Sequence, residues 1–124
     1  MEKKGFAKSY IAAFGSEVNK KKIRAHVTSG ENYLWHLFSW CGVPCLQGNA
    51  ARKAFDDLQY TEAIRFCGGF NGNVKKPETV GKLSAKDLDN DPESDIYIVA
   101  KDYAWTYVRT HERDLCGPYF CERK

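Results

Sequence analysis

The stretch that decides the fold is Ile96-Tyr97-Ile98-Val99-Ala100, then a break from Lys101 to Ala104, then Trp105-Thr106-Tyr107-Val108. Ile96, Ile98 and Ala100 alternate with Tyr97 and Val99, and the second run alternates in the same way. Successive side chains of a strand point to opposite faces, so two such runs with a short connection predict an antiparallel hairpin. Gly117-Pro118 then introduces Tyr119-Phe120-Cys121, a last short strand. It is expected at a sheet edge, because proline cannot donate to a ladder.

Upstream, Ile64 and Phe66 alternate with Arg65, and Gly68-Gly69 closes the run, so Thr61 to Cys67 is expected as a further strand. Tyr33-Leu34-Trp35-His36-Leu37-Phe38 is short, aromatic and almost wholly apolar, and it too is expected as a buried strand. Helical spacing appears elsewhere. Phe6, Tyr10, Ala13 and Phe14 form one stripe that stops at Gly15. Ala51, Ala54, Phe55 and Leu58 form another behind the cap candidate Asn49, predicting a helix over 49–59. Residues 68–94 are expected as a long loop holding one short helix, begun by a capping box of Ser84 and Asp87, stapled by Leu83 and Leu88, and stopped by Pro92. The sum is a single α+β domain over 1–124, an antiparallel sheet of four to five strands packed with two to three helices.

The 124 residues suit one domain, and 43% hydrophobic with 14% aromatic content fills a core, which excludes wholesale disorder. Nineteen bases against sixteen acids leave +3, too mild for a dedicated nucleic-acid or membrane-surface binder. No apolar run approaches the roughly 18 residues of a spanning helix, and Ile11 to Phe14 is too short for a secretory signal core. A cytoplasmic location is the expectation. Charge is uneven: residues 1–30 begin as a basic, helical segment, whereas Asp87, Asp89, Asp91, Glu93 and Asp95 form an acidic run with no base.

Five cysteines without an export signal point away from a disulfide framework. Cys41-x3-Cys45 and Cys116-x4-Cys121 have the spacing of structural zinc knuckles, and Gly42, Pro44, Gly117 and Pro118 would give the turns. One structural zinc on Cys41, Cys45, Cys116 and Cys121 is therefore weighed against the plainer reading, in which Cys41, Cys67 and Cys121 fill the core. Asp87-x-Asp89-x-Asp91 fails as a calcium loop, since Pro92 and Ile98 stand where glycine and glutamate are needed. Nucleotide and serine-hydrolase motifs are absent.

His111-Glu112 ends the hairpin and offers a candidate acid–base group, with Asp102, Tyr107 or Cys116 near in sequence. Strand alternation puts the two on opposite faces, with His111 sharing the face of Arg109, so they cannot act as a pair. A polar strand end with a hydrogen-bonded histidine is the preferred reading. Lys20-Lys21-Lys22-Ile23-Arg24 could touch phosphates, but no interleaved aromatics accompany it, and direct nucleic-acid binding is disfavoured.

Trp105-Thr106-Tyr107-Val108-x-Thr110-His111-Glu112 followed by Gly117-Pro118-Tyr119-Phe120 resembles the ending of a small bacterial family of unknown function, domain-of-unknown-function family 4275. Trp35-His36-Leu37-Phe38-Ser39 and residues 48–55 resemble its earlier landmarks, so the resemblance spans about residues 33–121. It implies a compact bacterial accessory protein of this size and no assigned reaction. The paired cysteines depart from the family pattern.

The expected function is that of a small bacterial or phage accessory protein that binds a macromolecular partner, a protein or nucleoprotein, as immunity proteins and inhibitors of host defence do. The expected contact region is residues 70–95, with Phe70, Asn71 and the carboxylates of Asp87, Asp89, Asp91, Glu93 and Asp95. The alternative is a small enzyme using His111 with a nearby cysteine or carboxylate.

Overall fold

The computed structural model describes residues 3–28, 33–68, 73–112 and 115–123. In chain order these form α1 (Lys3–Phe14), α2 (Lys20–His26), α3 (His36–Ser39), β1 (Leu46–Gln47), α4 (Gly48–Asp57), β2 (Glu62–Gly68), β3 (Val74–Gly81), α5 (Ala85–Asp89), β4 (Ile96–Val99), β5 (Trp105–Arg109) and β6 (Tyr119–Glu122). The strands make one antiparallel sheet in the order β1-β6-β5-β4-β2-β3. Among the described residues, no helix is long and apolar enough to cross a membrane.

The expected hairpin is β4–β5, with Tyr97 opposite Val108 and Ile98 opposite Tyr107. Its alternation divides the interior into two cores. Tyr97, Val99 and Val108 face α1 and α3, where they meet Tyr10, Phe14, Trp35 and Phe38. Ile96, Ile98, Trp105 and Tyr107 face α4 and α5, where they meet Phe55 and Leu88. Trp35, Phe38 and Val108 are buried on one side of the sheet, Phe55 and Trp105 on the other. Both faces are covered, which is why β4 and β5 have no exposed residue. A buried hydrogen bond of 2.9 Å between the Tyr10 and Thr106 hydroxyls ties α1 to β5.

Four expectations need correction. Tyr33 to Phe38 is not a strand: His36, Leu37 and Phe38 donate to the carbonyls of Tyr33, Leu34 and Trp35, winding the segment into the helical turns of α3. Leu34 to Phe38 are all buried, so the run has no polar side from which its period could be read. Residues 68–94 are not mainly a loop, because Val74–Gly81 pairs with β2 as β3. That strand lies at the sheet edge, where lysines and Pro77 are tolerated and disguise it. The short helix α5 inside the segment carries the expected reciprocal capping box of Ser84 and Asp87.

β6 is not at the edge, since β1 pairs with it through Leu46–Phe120 and Gln47–Tyr119. Pro118 lies just outside β6, so its missing N–H takes nothing from the ladder, and its carbonyl accepts from Gly48. Finally, the described residues hold six strands and five helices rather than four to five and two to three.

Candidate functional site

A cleft of about 530 Å³ opens where α3 meets the connection between β5 and β6. The α3 side supplies Tyr33, Trp35, His36, Ser39 and Trp40; the connection supplies His111, Glu112 and Cys116. Trp35 is anchored by its backbone N–H, which donates to the Tyr97 hydroxyl at 3.2 Å. Trp40, just beyond α3, is 64% exposed and stacks in parallel on His26 at the end of α2, with ring centres 5.4 Å apart.

His111 lies on the α3 face and not on the face of Arg109, contrary to the expectation from strand alternation. β5 ends at Arg109, and the chain leaves extended geometry in the turn that follows. The His111 ring meets Tyr33 at 5.1 Å and Trp35 at 5.9 Å, whereas Arg109 reaches the Leu88 carbonyl of α5.

The partner that holds His111 is Asp95, 2% exposed, from the segment entering β4. Its Oδ1 accepts from the His111 backbone N–H at 2.7 Å and lies 3.0 Å from Nδ1. An Nδ1–H facing this carboxylate donates to it, which orients the ring. His36 is 8% exposed, and its Nδ1 lies 3.0 Å from the His26 carbonyl and 3.3 Å from the Tyr33 backbone N–H. Burial lowers its pKa, so it is a neutral imidazole at pH 7. The indole N–H of Trp35 is buried and has no hydrogen-bond partner among the described residues.

Covalent catalysis needs an activated nucleophile, and the cleft holds a poor one. The Cys116 thiol is pushed up to about 11, first by burial and then by the Glu112 carboxylate that accepts its proton. A neutral thiol is a poor nucleophile. The Ser39 hydroxyl is engaged with the Tyr119 phenol. The other candidates lie elsewhere: Tyr107 is buried against Phe55 in the other core, and Asp102 accepts from the Ala104 N–H in the β4–β5 turn.

The four cysteines considered for zinc are divided. Cys116 lines this cleft, while Cys41 and Cys121 line a second cavity of about 720 Å³ near the end of α1. Cys45 is close enough to Cys121 to add to the effect of burial, and its thiol is pushed up to about 11. Among the described residues, no three His, Cys, Asp or Glu side chains converge as a metal site.

The acidic stretch is held within the molecule. Asp87 belongs to the capping box, Asp89 pairs with Arg52 at 3.1 Å, Asp91 with Arg65 at 2.9 Å, and Glu93 with Lys76 at 2.7 Å. Phe70 and Asn71 lie outside the described residues. The cleft residues missed in the sequence, Tyr33, Trp35, His36 and Trp40, carried one signal, a histidine inside an aromatic run. Nothing local paired His111 with Asp95, sixteen residues away.

The fold and the site thus define a class: a small α/β/α sandwich on an antiparallel sheet, with an aromatic–histidine cleft beside α3. The chain belongs to the family described as "Domain of unknown function (DUF4275)", which matches residues 3–120 and so also takes in the N-terminal helices. No curated protein and no solved structure matches it.

Proposed function

We propose that this chain is a non-enzymatic binding protein, an accessory factor of the immunity-protein or anti-defence-inhibitor kind, and that it grips a protein partner at the cleft beside α3. The observation that carries the reading is Trp40, 64% exposed at the cleft rim. A large exposed indole beside a preformed aromatic hollow is the usual anatomy of an interface hot spot. The acidic run 87–95 supports a partner contact less well, because its carboxylates already have partners inside the chain.

A second reading, acid–base catalysis by His111, is favoured by one observation, the buried Asp95 carboxylate on Nδ1. The protonated Cys116 thiol and the engaged Ser39 hydroxyl offer no covalent route beside it, so that reading rests on proton transfer by His111 alone. Affinity capture from a bacterial lysate distinguishes the two. The parent chain should enrich a partner that Trp40→Ala loses and that Lys53→Ala, on the solvent side of α4, retains. Equal capture by Trp40→Ala would remove the cleft from the interface. Partner capture that survives His111→Gln while biological function is lost would put the enzyme reading first.

A further inference from the structure

We propose that the cleft beside α3 receives one cationic side chain of the partner, an arginine, held between aromatic rings and the Glu112 carboxylate. The inference rests on the binding reading above and names the chemistry of what is bound.

Three observations converge. The walls are aromatic: Tyr33, Trp35 and Trp40 line the cleft, and Trp40 has His26 against one face and most of its surface in solvent. Ring faces attract cations, tryptophan most strongly, and a planar guanidinium also stacks. Next, the one carboxylate or fixed cation among the described lining residues is Glu112. Glu112 is exposed, its described partner is the uncharged Cys116 thiol, and no described lysine or arginine lines the cleft. Asp95 adds a second carboxylate behind His111, and the fields of both acids reach His36 and favour positive charge there. His36 does not supply that charge, since burial outweighs both.

The third observation is contrast. Five carboxylates elsewhere have cationic partners within the chain, Asp57 with Lys53, Glu62 with Lys101, Asp89 with Arg52, Asp91 with Arg65, and Glu93 with Lys76, while Asp56, Asp87 and Asp102 accept from backbone N–H groups. At the cleft the corresponding cation is missing among the described residues.

The surroundings limit the fit to a single cation. Lys20, Lys21, Lys22 and Arg24 belong to α2, the helix that carries His26, and repel a broadly basic surface. A partner with one arginine finger in an otherwise neutral or acidic face satisfies both regions.

Nα-acetyl-arginine methylamide and its uncharged isostere Nα-acetyl-citrulline methylamide test the proposal by NMR titration of the intact, ¹⁵N-labelled chain. The arginine probe should shift the Trp35 and Trp40 indole resonances saturably, and the citrulline probe should bind at least about fivefold more weakly. Glu112→Gln should weaken the arginine probe about fivefold and abolish the preference. Equal binding of the two probes, or a preference untouched in Glu112→Gln, overturns the proposal. So does displacement of the arginine probe by a thymidine oligonucleotide, which would assign Trp40 and the α2 lysines to nucleic acid. Failure here is separable from failure of the binding reading. Trp40-dependent capture of a partner with no arginine-selective binding leaves the binding reading and removes the cation. Arginine-selective binding with Trp40-independent capture does the reverse.

Discussion

Arg109→Met should destabilise the protein by about 3–5 kcal/mol, the loss expected when a buried charged group is taken from its partners. Arg109 is 1% exposed, its guanidinium donates to several backbone carbonyls, and its charge also favours the ionised Asp91 carboxylate. Nε donates to Leu88 at 3.0 Å, Nη1 to Ser94 at 2.9 Å, and Nη2 to Asp91 at 3.0 Å and Glu93 at 2.6 Å. The guanidinium is thus the hub around which residues 88–94 wrap before the chain enters β4.

Methionine preserves most of the volume, so the cavity contribution is small, and the loss lies in the abandoned acceptors. Each buried carbonyl left without a donor costs about 1–3 kcal/mol, but those near the surface recover water, which keeps the total below the simple sum. A well-packed apolar replacement of a buried ion is often neutral when both charges leave together. Here the acceptors are main chain and cannot leave. At about 4 °C per kcal/mol for a domain of this size, the melting temperature should fall by about 12–20 °C. Thermal and urea unfolding followed by circular dichroism measure this, and hydrogen exchange should show residues 88–95 opening first. A methionine variant that melts within about 2 °C of the parent, with unchanged exchange in that segment, would refute the hub.

The two tryptophan environments should separate cleanly. Trp105→Ala, which empties a buried site against Phe55 and Tyr60, should cost about 3–5 kcal/mol, whereas exposed Trp40→Ala should stay within about 0.5 kcal/mol in the same unfolding assay. Cys45 and Cys116, each pushed up to about 11, should react with iodoacetamide far more slowly in the folded chain than in urea at pH 8.5, as read by mass spectrometry. Because these folded-state values, and that of Tyr119 at about 12, lie above the ordinary ones, their stabilisation is complete below about pH 9 and is lost as pH rises towards 11. Alkaline melts should therefore decline through that window; a flat profile would contradict the shifts. If Cys41, Cys45, Cys116 and Cys121 hold one structural zinc, purified protein should carry about one zinc per chain and melt lower in a strong chelator; metal-free protein of unchanged melting temperature returns them to core filling.

Local sequence by itself determined the β4–β5 hairpin, the β2 strand, the α1 and α4 stripes and the capping box of α5, because each is written in side chains a few residues apart. A period of two or of about 3.6 survives whenever one face of an element is more polar than the other. It failed at Tyr33 to Phe38, where burial on every side erased the polar face, and at β3, where an edge position tolerates lysines and a proline. The family was legible too, since its landmarks are short runs such as Trp105 to Glu112. The cleft was not. Asp95 meets His111 only because the β4–β5 pairing sets Ile96 opposite Arg109, so that the residues just beyond both strand ends converge. Trp40 becomes a candidate contact only because α2 supplies His26 beneath it while α3 turns it outward. Exposure, and the partners each acid of 87–95 finds, depend on residues distant in sequence. Tertiary packing decides them, because a side chain's solvation and charge environment belong to its neighbours in space.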